Sequence, residues 1–102
     1  MIRVYLDDER VPPTQSFDLV VRSFDEAILA FESYGCPRFI SFDYDLNAVK
    51  TGYDVAIWMT EQDKKVNGHF FPTDFEFVVH SSTSIQRDEI IGYLTRYLLN
   101  RE

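Results

Sequence analysis

Arg38-Phe39-Ile40-Ser41-Phe42 runs straight into Asp43-Tyr44-Asp45. The short aromatic and aliphatic run has the length and composition of a buried strand, and the acids beyond it belong at a solvated edge. The same pattern opens the chain, where Ile2 to Leu6 gives way to Asp7-Asp8-Glu9-Arg10. It returns near the end, where Phe75 to Val79 stops at His80-Ser81-Ser82. Asp18 to Arg22, with Leu19-Val20-Val21 at its centre, supplies a fourth short strand.

Between these runs the period changes from strand to helix. Ser23 with Glu26 three residues on is a capping pattern, and Phe24, Ala27, Ile28 and Phe31 then fall on one helical face. Gly35 and Pro37 stop that helix near Tyr34. Thr51 with Asp54 caps a second helix running to about Lys65, with Val55, Trp58 and Met59 on its inner side. Ile90, Ile91, Leu94 and Leu98 predict a third from about Ser84 to about Asn100. Pro12-Pro13 makes the first connection a loop instead of a helix. Strands alternating with helices predict an α/β fold with a mostly parallel four-stranded sheet covered by helices. In such sheets ligands bind beyond the carboxyl ends of the strands. Asp7, Asp8, Asp43, Asp45, His80 and Ser81 would therefore share one rim.

A chain of 102 residues predicts one domain, 1–102, and excludes a multidomain enzyme. Hydrophobic residues at 45% describe a folded globule. Seventeen acids against ten Lys and Arg give a net charge of −7, which disfavours long DNA and anionic membranes as partners. The single Cys36 offers neither an internal disulfide nor a zinc-ligand pattern. No apolar run has membrane-spanning length or signal-peptide form, so a cytoplasmic location, bacterial or host, is expected.

Carboxylates gathered on one rim repel one another unless they take up protons, spread into solvent or bind a hard cation. Mg2+ or Mn2+ fits, because it accepts one or two carboxylates, keeps waters and completes its shell with substrate phosphate. The plainer alternative is that these acids cap loops and face water. His80 is placed for acid–base work, or for a structural hydrogen bond. Ser81 offers a hydroxyl to phosphate oxygens. Arg10, and Arg87 in the first turn of the last helix, could clamp phosphate with a planar fork or form surface ion pairs. Tyr44 and Tyr53 could stack on a nucleobase or simply pack. His69 has no such context and reads as a loop residue. Phe24, Phe31, Phe39, Phe42, Trp58, Phe75 and Phe77 read as core.

Leu6-Asp7-Asp8-Glu9-Arg10, Ile40-Ser41-Phe42-Asp43-Tyr44-Asp45-Leu46, Gly52-Tyr53-Asp54-Val55-Ala56 and Val79-His80-Ser81 resemble the signature blocks of the cyclic-phosphate processing receiver-like domain. That family is a small divergent relative of response-regulator receivers. The resemblance implies a small three-layer, flavodoxin-like sandwich missing the receiver's first helix and fifth strand. It also implies Asp7, Asp8 and Asp43 as metal ligands, Asp43 matching the receiver phosphoacceptor, and Ser81 as the residue that steers phosphate oxygens. The chain differs from the family pattern at Tyr44, where a second histidine usually stands, and in Ser82 to Gln86, which lacks the usual Asn-Pro and Gly. Arg87 matches.

These readings lead to a metal-dependent phosphoesterase opening a cyclic phosphate at a 2′,3′-cyclic RNA end or nucleotide. Asp43, His80 and Asp45 would be its catalytic residues; Ser81, Arg87 and Arg10 would hold phosphate; Asp7, Asp8 and Asp43 would hold metal. The alternative is a catalytically inactive receiver-like module that binds a nucleotide, a metal or a protein partner.

Overall fold

The computed structural model describes residues 2–101; Met1 and Glu102, the ends of the expected 1–102 domain, lie outside the described residues. The elements follow in the order β1 (Arg3–Leu6), β2 (Leu19–Val21), α1 (Phe24–Tyr34), β3 (Phe39–Phe42), α2 (Gly52–Lys65), β4 (Glu76–Val79) and α3 (Ser84–Asn100). The strands form one parallel sheet ordered β2-β1-β3-β4.

Local chemistry sets the helix boundaries. Ser23 Oγ accepts the Glu26 N–H at 3.1 Å, while the Glu26 carboxylate reaches one residue further back than a capping box, to the Arg22 N–H at 2.8 Å. Gly35, at φ 83°, ends α1 in a conformation that side-chain-bearing residues rarely take. Thr51 and Asp54 close a full capping box on α2. Thr83 caps α3 by accepting the Gln86 N–H at 3.2 Å.

Alternation along the strands separates two faces. Val4, Leu6, Ile40 and Phe42 are completely buried on one, where they meet Phe31, Val55, Met59, Ile90 and Leu94. Right-handed crossovers from β2 to β3 and from β3 to β4 run in the same direction across the sheet, so α1 and α2 lie on this same side. α3 packs beside α2 and against β4. The receiver-like fold is thus as expected, with its third layer made by a loop.

That loop is the twelve residues 7–18 between β1 and β2. Its return end is tied to β1 by the Arg3 N–H on Asp18 (2.8 Å) and Arg3 Nε on the Ser16 carbonyl (3.0 Å). Phe17 then packs edge-on against Tyr5, with centroids 5.2 Å apart, and lies 5.9 Å from Phe39. Phe39 therefore belongs to the loop-covered face and not to the helical core, where strand alternation alone would have placed Ile40 and Phe42. Ile91 likewise points outward, 38% exposed, because Ile90 and Leu94 already fill the inner face of α3.

Candidate functional site

β1 leads outward to β2 and β3 leads the opposite way to β4, so the strand order reverses between β1 and β3. The crevice beyond their carboxyl ends is where such sheets bind ligands. Asp7 follows β1 there and Asp43 follows β3, and the ladder runs one residue past the strands to hold both. The Asp7 N–H donates to the Val21 carbonyl (3.1 Å), Asp43 N–H to Leu6 (2.9 Å) and His80 N–H to Phe42 (2.8 Å). The three side chains are in phase with Tyr5, Ser41 and Val78, on the loop-covered face.

Asp7, Asp43 and His80 each present a ligand atom within 4.8 Å of the others. A cavity of about 320 Å3 opens over them, lined by Asp7, Asp8, Glu9, Arg10, Asp43, Asp45, Asn47 and Ser82. Asp7 is fully buried. Its Oδ1 accepts the N–H groups of Glu9 (2.9 Å) and Arg10 (2.8 Å), which folds the chain sharply after β1. Its Oδ2 meets His80 Nε2 at 2.9 Å. Burial pushes the Asp7 carboxyl upward, but the two backbone donors and the imidazole outweigh it and hold it below its ordinary value. Asp43 has less support. Burial, then the charges of Asp7 and Asp8, push it up to about 6 despite the Arg10 guanidinium nearby.

His80 is depressed by burial, although its bond to Asp7 works the other way. The ring is therefore neutral at neutral pH. Asp7 is an ionised acceptor, so Nε2 carries the proton and Nδ1 accepts the Ser41 hydroxyl at 2.7 Å. Tyr5 stacks on the imidazole, with centroids 4.7 Å apart and planes 5° from parallel.

Arg10 Nη1 donates to the His80 carbonyl at 3.3 Å and lies 3.8 Å from Asp7 Oδ2, placing a cation at the cavity mouth. Asp8 and Asp45 stand in the cavity wall, as the sequence suggested. Asp45 Oδ1 accepts the Asn47 N–H at 2.8 Å, with Asn47 in the left-handed region at φ 54°. Ser81 and Arg87 are not among the lining residues. Ser81 is buried, and its Oγ accepts the Tyr44 N–H at 2.7 Å, bracing the turn after Asp43. Ser82 takes the place in the wall. Tyr44 and Tyr53 stack on each other at 6.2 Å instead of standing apart. His69 is a loop residue whose Nδ1 meets the Val66 carbonyl at 2.9 Å.

Three contributors were not singled out from sequence. Arg22 Nη1 donates to the carbonyls of Asp7 (3.1 Å) and Arg10 (2.6 Å), clamping the acid-bearing turn from β2. Ser41 reaches His80, a contact that strand alternation could have suggested once β3 and β4 were paired in parallel. Gly52 lets the start of α2 lie against Asp43: its N–H donates to the Tyr44 carbonyl at 2.7 Å, and a Cβ there would stand 1.8 Å from the Asp43 carbonyl oxygen.

The family model of the cyclic-phosphate processing receiver domain matches residues 2–96. The chain belongs to that family. No curated protein and no solved structure matched the chain. In this cyclic-phosphate processing receiver domain Asp7, Asp43 and His80 stand on the carboxyl rim of a parallel sheet. No helix among the described residues is long and apolar enough to cross a membrane.

Proposed function

We propose that this receiver domain is a Mg2+- or Mn2+-dependent phosphoesterase that opens a 2′,3′-cyclic phosphate on a nucleotide or an RNA 3′ end. The observation that carries the reading is the meeting of Asp7, Asp43 and His80 within 4.8 Å under an acid-lined cavity. The donor set fits a hard divalent ion: oxygen ligands predominate, and Asp43 is held up to about 6 by burial and like charge, a strain that a cation relieves. Asp7, Asp8 and Asp43 would hold the ion, which supplies charge neutralisation at the phosphoryl oxygens and a more acidic bound water.

The remaining work falls to side chains. Arg10, at the mouth, orients the phosphate; Ser81 and Arg87 contribute only if the β4–α3 turn closes on a bound ligand. The bond between phosphorus and a water oxygen forms while one bond to a ribose oxygen breaks. Asp45, on the cavity wall, accepts the water's proton, and His80, neutral at rest, takes up a proton from solvent and passes one to the departing oxygen. Asp43 attacking as a covalent nucleophile is a second route to the same product.

Hydrolysis of 2′,3′-cyclic nucleotides and short cyclic-ended RNA, with Mg2+ or with EDTA, tests the reading on wild type, Asp43→Asn and His80→Ala. Metal-dependent turnover lost in both variants is expected. The engaged Ser81 oxygen and the absence of Arg87 from the cavity lining favour the second reading, a binding module. Ligand binding without turnover by wild type would establish that one instead.

A further inference from the structure

Of the two buried acids at the rim, Asp7 has its carboxylate fixed at both oxygens, and one of those fixings has its own support. His80 Nε2 donates to Asp7 Oδ2 at 2.9 Å, Ser41 donates to His80 Nδ1 at 2.7 Å, and Tyr5 stacks on the ring at 4.7 Å. Ser41 is buried and does not line the cavity. Its hydroxyl reaches the site only through the imidazole.

An imidazole held at one nitrogen alone can still turn about its side-chain torsions. Held at both nitrogens and on one face, it has a single plane and a single direction for its Nε2 proton. That direction fixes Asp7 Oδ2, in a carboxylate whose ligand atom lies within 4.8 Å of that of Asp43. Hydrogen-bond partners behind a metal-binding carboxylate typically change metal affinity or activity by about 10- to 100-fold when removed.

We propose that Ser41 is a positioning residue for the cation centre, acting through His80 to hold the Asp7 carboxylate in its binding orientation. This rests on reading Asp7 and Asp43 as cation ligands, and not on the hydrolytic reaction. Four proteins test it: wild type, Ser41→Ala, His80→Ala and the double variant, with Mn2+ affinity measured by electron paramagnetic resonance and folding checked by thermal melts. Ser41→Ala should weaken Mn2+ binding about tenfold. His80→Ala should weaken it at least as much, and the double variant no further, because Ser41 has no other path to the ion. Ser41→Thr, which restores a hydroxyl at the same atom, should recover most of the affinity.

Wild-type-like affinity in Ser41→Ala overturns the proposal, as do losses that simply add in the double variant or a failure of Ser41→Thr to rescue in a folded protein. Mn2+ binding without hydrolysis by wild type overturns the phosphoesterase and leaves the positioning role standing. Absence of Mn2+ binding by wild type overturns both.

Discussion

Asp43→Asn should stabilise the protein in EDTA at pH 8. The carboxyl, 6% exposed, is pushed from an ordinary 3.8 up to about 6, first by burial and then by the charge of Asp7. A displacement of roughly two units corresponds to about 3 kcal/mol, an upper figure that rearrangement and water reduce to about half. The sign follows from linkage. An acid whose folded value is raised binds its proton more tightly in the native state, so it destabilises the fold as pH rises from about 4 to about 6 and fully above that. Asparagine keeps the shape without the charge. The variant should therefore melt about 5–15 °C above wild type at pH 8, and the gap should close near pH 4. His80 titrates with the opposite slope, because its folded value is lowered; that contribution is present in both proteins and cancels in the comparison. Saturating Mg2+ should reverse the order, since an ion at 100 times its Kd adds about 2.7 kcal/mol to wild type alone. Differential scanning calorimetry across pH, with EDTA and with Mg2+, makes the measurement. Equal melting temperatures at pH 8, or a gap that persists at pH 4, would refute the electrostatic argument.

Gly52→Ala should cost several kcal/mol, because the new Cβ lands 1.8 Å from the Asp43 carbonyl oxygen and one backbone must move; a lower melting temperature together with weakened Mn2+ binding checks it. Arg22→Ala frees the carbonyls of Asp7 and Arg10, so amide exchange should accelerate across residues 8–10 while β1 stays protected. Arg101→Ala leaves Asp63 buried beside Tyr97 Oη (2.8 Å) without its cation, 3.1 Å away in the native chain. Urea titration should show a loss of about 3 kcal/mol, with Mn2+ affinity unchanged because this cluster lies at the opposite end of α2.

The elements were legible because each carries its own punctuation. Ser23, Thr51 and Gly35 act through contacts within a few residues, and strand runs that short leave little freedom in their bounds. Asp7, Asp43 and His80 were legible for a related reason: each is the first residue beyond a strand, and parallel strands bring such residues to one edge whatever the intervening helices do. Arg87 shows where that reasoning stops. Whether it lines the cavity is set by how α3 departs after Ser82, and no residue pattern fixes that angle. Ser81 was placed on the right edge, but whether its oxygen faces the cavity or the Tyr44 N–H depends on the turn after β3, thirty-seven positions away.

The loop over residues 7–18 ties these observations together. A helix after β1 would cover Tyr5, Ser41 and Phe39 with side chains of its own and would carry Arg10 in its first turn. The loop instead covers them with Phe17 and turns at once on Asp7, where Oδ1 collects the Glu9 and Arg10 N–H groups. That turn returns the Arg10 side chain to the cavity mouth, and Arg22 locks it from the neighbouring strand. The space left on the open face is taken by the Tyr5–His80 stack, which puts an imidazole one hydrogen bond behind the first acid. The loop after β1 and the imidazole behind Asp7 thus share one face of the sheet, and the chemistry proposed for the rim depends on both.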